Sequence, residues 1–433
     1  MRSYKLIVAF LVLSLLLSSS VYSAPVTIRW STWLSGESLA EQQKLIDMFE
    51  KKYPDIKVKV ETTPYSEYTA KLFTQHAAGN APDVMHTTIY FADEYIRKGL
   101  LLDVTKYVKK SIDFKKYVKF SPIYIREGKI WGGLETHNQV YPLFYNVNMF
   151  KEAGLPTPND YYYIKKKWDL QTFLEVAKKL TRDVNGDGKI DVWGTYVQRW
   201  WETGWFPFVL LFDGEWKYPD GGTSTVVDVT SRKVTIDTPK VVDALKFYIG
   251  LIQQEKVAPL PGELAIMGTP LEAKKVAMMI DGSWMMNIYK ARIKDFEWDI
   301  AHPPKGTVLR THIDAGADGL VWAGTKHPEE AWKLVEFFLG EEVQMAKARS
   351  KLVIPVLRSA LYSKEYLTPP PRHIKVIHEM IGYSVPIKPF EGMLEVLDGM
   401  SAELEAAMLG KKSVDEAIKA AVEVGNKILG LKR

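Results

Sequence analysis

Between Val26 and Met85 the chain switches repeatedly between an apolar period of two and one near 3.6, and that switching leaves few folds open. Val26, Ile28 and Trp30 alternate as a half-buried strand does. Trp30-Ser-Thr-Trp33 and Gly36 read as its exit loop. Ser38-Leu-Ala-Glu41 has the capping-box pattern, serine at the cap and glutamate three residues later. The helix it opens carries Leu39, Leu45, Ile46, Phe49 and Tyr53 on one face and stops before Pro54. Ile56, Val58 and Val60 make a second alternating strand. A helix from about Tyr68 to Ala78 ends at Gly79-Asn80 with Pro82 behind it, and Asp83-Val-Met85 reads as a third strand. Strands alternating with helices build βαβ units, so the expected class is α/β with mostly parallel sheets. Ligands of such sheets bind beyond the carboxyl ends of the strands, where this reading puts Trp33, Glu37 and Asp83.

The same alternation continues. Ile130 to Gly133 and Tyr141 to Asn146 read as strands, and Phe150 to Pro156 closes a helix. Trp168-Asp169 caps a helix with Phe173, Leu174, Ala177 and Leu180 on its core face. An acidic glycine loop (Asp183 to Asp191), a tryptophan-rich segment (Arg199 to Trp216) and a hairpin (Gly221 to Thr225) follow. Val241 to Gln254 is an amphipathic helix, and Val276 to Ile280 a buried strand ending in Asp281-Gly-Ser-Trp284. The glycine-studded run Asp314 to Gly319 leads into a short strand, Leu320 to Gly324. A helix beyond Pro328 follows, with Ala331, Leu334, Val335, Phe338 and Leu339 on one face. Gly316 and Gly319 mark places where backbone approaches a neighbour closely. Met393 to Leu409 and Ser413 to Leu429 are helices separated by Gly410-Lys-Lys.

With 433 residues, two or three domains are expected, each with its own core. The formal charge is +5, and about +3 once Arg2 and Lys5 are set aside, too little to argue for nucleic acid. Those two cations precede an apolar run from Leu6 to Leu17, and Val21-Tyr-Ser23 places small or aliphatic residues where a signal peptidase reads. Residues 1–23 are therefore expected to be a cleaved signal peptide, the run being short of the roughly 20 residues that span a bilayer. The chain has no cysteine, hence no disulfide and no lipid-modified cysteine, and a free periplasmic protein is expected. Plentiful Lys and Glu with no Cys lean toward a thermophilic source.

A set of short motifs recurs in a definite order: Phe49-Glu-Lys-Lys-Tyr-Pro54, Gly79-Asn-Ala-Pro-Asp-Val84, Leu143-Phe-Tyr-Asn146, Trp168-Asp169 with Leu180-Thr181, and Asp281-Gly-Ser-Trp284. Gly316 with Asp318-Gly319, Glu329-Glu-Ala-Trp332 with Phe337, and Leu409 to Ala417 complete it. In this order the chain resembles, from Ile28 to Leu429, the family-one extracellular solute-binding proteins, the maltose-binding-protein-like receptors of carbohydrate ABC importers. The resemblance implies a two-lobe periplasmic-binding-protein fold, type II-like, closing on ligand like a jaw. It implies three hinge crossings, near Thr136 to Pro142, His312 to Gly316 and Lys351 to Pro355. One lobe would hold residues 24–139 and 316–350, the other 140–315 and 351–433. It also implies a sugar ligand, a membrane permease as partner and a monomeric receptor.

Sugar sites need flat aromatic faces and planar polar groups, and the chain has 13 Trp and 22 Tyr. Trp200, Trp201 and Trp205 are candidate platforms, although Trp201, Trp205 and Phe208 share the spacing of a helical core face. Trp284 sits at a strand end and matches the family's ligand-stacking tryptophan. Asp83 serves equally as a turn cap, and Glu37 as a favourable charge at a helix start. Tyr145, Asp318, Trp322 and Arg358 are carried over from the resemblance alone. Asp183, Asn185, Asp187, Lys189 and Asp191 follow the start of an EF-hand loop, with Gly188 at its sixth position, so structural calcium is a candidate, although Gly194 stands where the bidentate Glu belongs. The other reading of that loop is a polar turn. No cofactor is otherwise required. No G-x-S-x-G, H-E-x-x-H, Walker loop or helix-opening G-x-G-x-x-G occurs, and His373 and His378 are five apart, off one face. A binding protein rather than an enzyme is therefore expected. The alternatives are a secreted glycoside hydrolase, whose two carboxylates leave no motif, and a same-fold receptor for glycerol phosphate or a polyamine.

Overall fold

The first strand, β1 (Val26–Thr32), lies between two parallel neighbours. The computed structural model describes residues 24–118, 124–215, 217, 223–264 and 269–431. The expected signal peptide (residues 1–23), Trp216 and the first part of the Gly221 to Thr225 hairpin lie outside them. After β1 come α1 (Gly36–Lys52), β2 (Ile56–Thr62), α2 (Tyr65–Ala77) and β3 (Val84–Thr88). The chain then crosses in β4 (His137–Val140) and enters a second sheet through β5 (Leu143–Asn146). There α3 (Leu170–Leu180), β6 (Trp193–Tyr196), α4 (Trp205–Leu211), α5 (Pro239–Gln253), β7 (Val276–Ile280), α6 (Met285–Arg292) and β8 (Trp298–Ala301) follow. It returns along β9 (Thr311–Val321) to α7 (Pro328–Leu339) and α8 (Glu341–Ser350). β10 (Ile354–Pro355), β11 (Ser384–Pro386), α9 (Met393–Met408) and α10 (Val414–Leu431) complete the chain.

The two sheets are mixed rather than mostly parallel as expected from the βα alternation. In the first, β1 pairs parallel with β2 and β3, but β9 runs antiparallel to both β3 and β4. In the second, β7 is parallel to β6 while β5 runs antiparallel to β7 and β8. The reversal has a topological cause. β9 re-enters the first sheet from the other lobe, and no βαβ crossover fixes its direction.

Two local expectations are also corrected. The glycine run is not a turn before a short strand; β9 is one strand of 11 residues through it. Its glycines serve close packing: a Cβ on Gly316 would sit 2.1 Å from His137 Nε2, and one on Gly319 2.6 Å from Val84 Cγ1. The first helix starts two residues before the Ser38 box, with Ser35 at its cap and no side-chain cap hydrogen bond. A true capping box occurs at Ser413, whose backbone N–H donates to Glu416 at 2.8 Å while its hydroxyl accepts from the Glu416 N–H at 3.2 Å.

β4, β9 and β10 are hydrogen-bonded neighbours, with Ile313 opposite Val140, Gly316 opposite His137 and Ile354 opposite Asn138. β4 and β9 are thus two passages between the lobes, side by side in one antiparallel pair, but β10 is not the third. The chain after it stays on the first lobe and passes to the second at β11, where Ser384–Pro386 pairs parallel with Thr311–Ile313, rather than near Lys351 to Pro355 as expected. The first lobe buries Leu45, Ile46 and Phe49 of α1 against Phe337 and Phe338 of α7. The second buries Trp205, Tyr248 and Leu397 from α4, α5 and α9. Short helices at Arg358–Leu361 and Lys364–Leu367 pack on α8 of the first lobe, whereas α9 and α10 pack on α5 of the second.

Candidate functional site

Between the lobes lies a cavity of about 550 Å³, and each lobe gives it an aromatic wall. From the first lobe comes Trp33, at the exit of β1. Its ring stacks on His86 with centroids 4.1 Å apart and meets Tyr65 and Tyr68 edge-on at 5.4 and 5.1 Å. Burial pushes the His86 imidazole down to about 3, so the ring behind Trp33 is neutral, and Nδ1 meets the Thr32 hydroxyl at 2.8 Å. From the second lobe come Trp200 and Trp284. Trp200 meets Tyr65 across the cavity at 6.3 Å and donates from Nε1 to Glu202 at 3.2 Å. Trp284 follows β7 through Gly282, and a Cβ on Gly282 would collide with its ring at 2.1 Å. The glycine is what lets the indole fold back over the strand end. Its ring stands edge-on to Tyr141 at 5.8 Å and is half-buried, one face left to the cavity.

Polar groups fill the floor. Asp281 takes the Gly282 N–H at 2.7 Å, and burial pushes its carboxyl up to about 7. Glu202 accepts from Tyr141 at 2.6 Å. Tyr90 and Tyr141 also donate to Asp314 of β9, whose carboxyl is raised well above its usual range by burial and then by the neighbouring charge of Glu202. Asp318, four residues on, faces Lys347 and takes the Thr136 hydroxyl at 2.5 Å. Lys347 and His137 hold its carboxyl well below the usual range despite its burial. Gln42, Gln139 and Gln198 add amides to the lining, and among the described residues neither lysine nor arginine lines it. On the rim, Arg292 of α6 clasps Glu37 of α1 at 2.8 and 2.6 Å, joining the lobes.

Of the residues singled out from sequence, Trp33, Trp200, Trp284 and Asp318 meet in this cavity. The others lie outside its lining. Glu37 is taken by Arg292. Asp83 faces away, accepting from the Arg29 N–H at 2.9 Å and the Thr325 hydroxyl at 2.5 Å. Tyr145 is buried beside Asn159 and Asp299 in the second sheet. Trp201 and Trp205 are wholly buried, Trp201 edge-on to Tyr90 and Trp205 donating to Ser401, because the helical spacing they share with Phe208 is that of a core face. Trp322 packs on His76, and Arg358 donates to the Tyr117 carbonyl. The Asp183 to Asp191 loop is exposed, and its carboxylates are engaged by its own backbone. Asp183 takes the Gly186 and Gly188 amides, both at 2.7 Å, Asp187 that of Lys189, and Asp191 those of Val184 and Asn185. Among the described residues no group of three or more His, Cys, Asp or Glu is arranged to hold a metal. Sequence reasoning missed Tyr65, His86, Gln42, Gln139, Gln198 and Glu202. Two of these carried a signal, since Gln198 and Glu202 flank Trp200.

A mixed α/β chain in two lobes, with an aromatic-walled cavity beside a three-strand hinge, is a binding protein of the periplasmic type. More closely, it belongs to the bacterial extracellular solute-binding proteins, whose family model matches residues 35–345. An ABC substrate-binding protein of Listeria monocytogenes, solved with cycloalternan, superposes with a TM-score of 0.81 at 24% identity, covering 94% of this chain and 99% of that one. The maltose/maltodextrin-binding domain of Bdellovibrio bacteriovorus, bound to maltotriose, gives 0.77 at 19% identity, covering 94% and 100%. The arabinooligosaccharide-binding protein of Bacillus subtilis (strain 168) is 31% identical over 182 residues, 38% of this chain and 40% of that protein. Among the described residues no helix is long and apolar enough to cross a membrane.

Proposed function

We propose that this protein is the receptor of an ABC importer, binding an uncharged sugar or oligosaccharide between its lobes and handing it unaltered to a membrane permease. The observation that carries this reading is the cavity itself. Trp33, Trp200 and Trp284 reach it from both lobes, and among the described residues its lining holds amides, hydroxyls and carboxylates without a lysine or arginine. Indole faces bury the C–H side of a sugar ring, and planar polar groups satisfy its hydroxyls. A phosphate ligand such as glycerol phosphate would require cations there. Relatives that hold cycloalternan, maltotriose and arabino-oligosaccharides support the sugar class. Residues 1–23 act in this reading as a cleaved secretion signal, leaving a monomer free in the periplasm from Ala24, with no role in binding nucleic acid.

Calorimetric titration with maltotriose, mannobiose, an arabino-oligosaccharide and cycloalternan tests the proposal. One sugar bound per chain and recovered intact is the expected result. Shortened products would make the protein a glycoside hydrolase, and tight glycerol phosphate binding without sugar binding would overturn the ligand class. Bound sugar should also reduce the radius of gyration in small-angle scattering, because only the closed form lets ligand touch both lobes.

A further inference from the structure

Helix α1 turns a core stripe toward the first lobe, made of positions 42, 45, 46 and 49. Leu45, Ile46 and Phe49 fill three of them, and the fourth is Gln42. An apolar side chain is what that stripe calls for. Gln42 is 0% exposed, and neither its Oε1 nor its Nε2 has a hydrogen-bond partner among the described residues. The fold contains its own control. Gln344 is also 0% exposed, and its amide is fully used: Nε2 donates to the Thr136 and Phe338 carbonyls at 2.9 and 2.8 Å, and Oε1 accepts from the Val356 N–H at 2.9 Å. Gln344 is what a structural glutamine looks like in this protein. Gln42 differs from it in lining the ligand cavity, as does Ser38 one turn earlier on the same helix face.

We propose that Gln42 is a ligand-contacting residue of the cleft, its amide reading two adjacent hydroxyls of the bound sugar. The inference rests on the sugar reading above and adds to it the group that selects among sugars. A primary amide offers a donor and an acceptor side by side. Neighbouring hydroxyls on a ring offer the complement, one accepting from Nε2 and one donating to Oε1. In the ligand-free protein the unpaired amide costs stability, and the sugar relieves that cost only if both hydroxyls are present and suitably oriented. Gln42 then discriminates epimers and deoxy analogues that the indole faces of Trp33 and Trp284 stack on equally well.

The test is Gln42→Met, which keeps the length of the side chain and removes both polar atoms. Ligand-free protein is melted, and the tightest-binding of maltotriose, mannobiose and arabinotriose is titrated. The melting temperature should stay level or rise, while affinity falls about 10- to 100-fold. A monodeoxy analogue of that sugar, lacking one of the two hydroxyls, should bind wild type more weakly than the parent but bind the variant equally well. A lower melting temperature would make Gln42 structural and overturn the assignment whichever sugar binds. Affinity within about twofold of wild type would overturn it as well. If none of the sugars binds wild type, the sugar reading falls, and the assignment to hydroxyls falls with it.

Discussion

Asp314 and Asp318 lie four residues apart on one strand, both 2% exposed, yet their carboxyls are driven in opposite directions. Asp318 faces Lys347, His137 and the Thr136 hydroxyl, and its charge is held. Asp314 faces Glu202 and two tyrosine hydroxyls, with no cation against it among the described residues, and its charge is opposed. Burial acts on both alike, so the partner decides. The Asp318 end of the strand is bound into the first lobe through α8. The Asp314 end, bonded to Tyr90 of one lobe and Tyr141 of the other, is a contact between lobes whose charge burial and Glu202 oppose. One strand thus carries both an anchor and a joint.

The sharpest way to break this contrast is Lys347→Met. It strands a buried carboxylate, and about 3–5 kcal/mol of stability should be lost in denaturant melts. Adding Asp318→Asn should return a large part of that loss, and a single variant melting like wild type would mean the pair is no anchor. Next in size is Trp284→Ala, on the joint side, since the Trp284 ring meets Tyr141, which donates to Asp314. Removing about 100 Å² of stacking area at roughly 25 cal/mol/Å² should weaken sugar binding by about 30- to 150-fold, with little change in melting. Unchanged affinity with a collapsed melting temperature would take Trp284 out of the site.

Asp314→Asn should act through pH. A carboxyl raised in the folded state costs stability that grows as pH climbs from about 4 toward its folded value, and an amide carries no such cost. The variant should therefore gain on wild type as pH rises above about 4. The depressed Asp318 contributes with the opposite sign, its stability present above about pH 4 and lost as acid passes its folded value. A wild-type-minus-variant difference flat in pH would remove the contrast. The smallest effect is expected at the Asp183 to Asp191 loop, outside both regions. Its carboxylates are already engaged by backbone amides, so chelator should shift the melting temperature by less than about 2 °C. A larger fall would assign calcium to the loop.

Much of the fold was legible because apolar spacing reports burial directly, as the stripe Leu45, Ile46, Phe49 and the strand Val276 to Ile280 show. Trp284 was legible for a different reason, since a glycine two residues before a tryptophan at a strand end leaves the ring somewhere to fold. Asp83 shows where the reading stops. Sequence placed it at a strand end but not which way its carboxylate turns, and the Arg29 and Thr325 donors that capture it come from distant stretches of chain. Trp200 and Trp201 are adjacent, one facing the cavity and one wholly buried, and only the packing of α4 and Tyr90 separates them. The antiparallel entry of β9 was hidden because strand direction depends on where the chain has been, not on local pattern.

The ribbon of β4, β9 and β11 has a mechanical consequence. Three separate tethers would let one lobe slide, tilt and twist against the other. Strands bonded side by side, with Ile313 opposite Val140 on one flank and Pro386 on the other, behave as a single pin. The lobes then have essentially one angle to change, and the Glu37–Arg292 clasp at the rim registers that angle far from the pin. A ligand that touches both lobes would set that angle wherever in the cavity it sat. A permease reading the two outer surfaces would see a two-position signal, full or empty, whatever the length of the sugar inside.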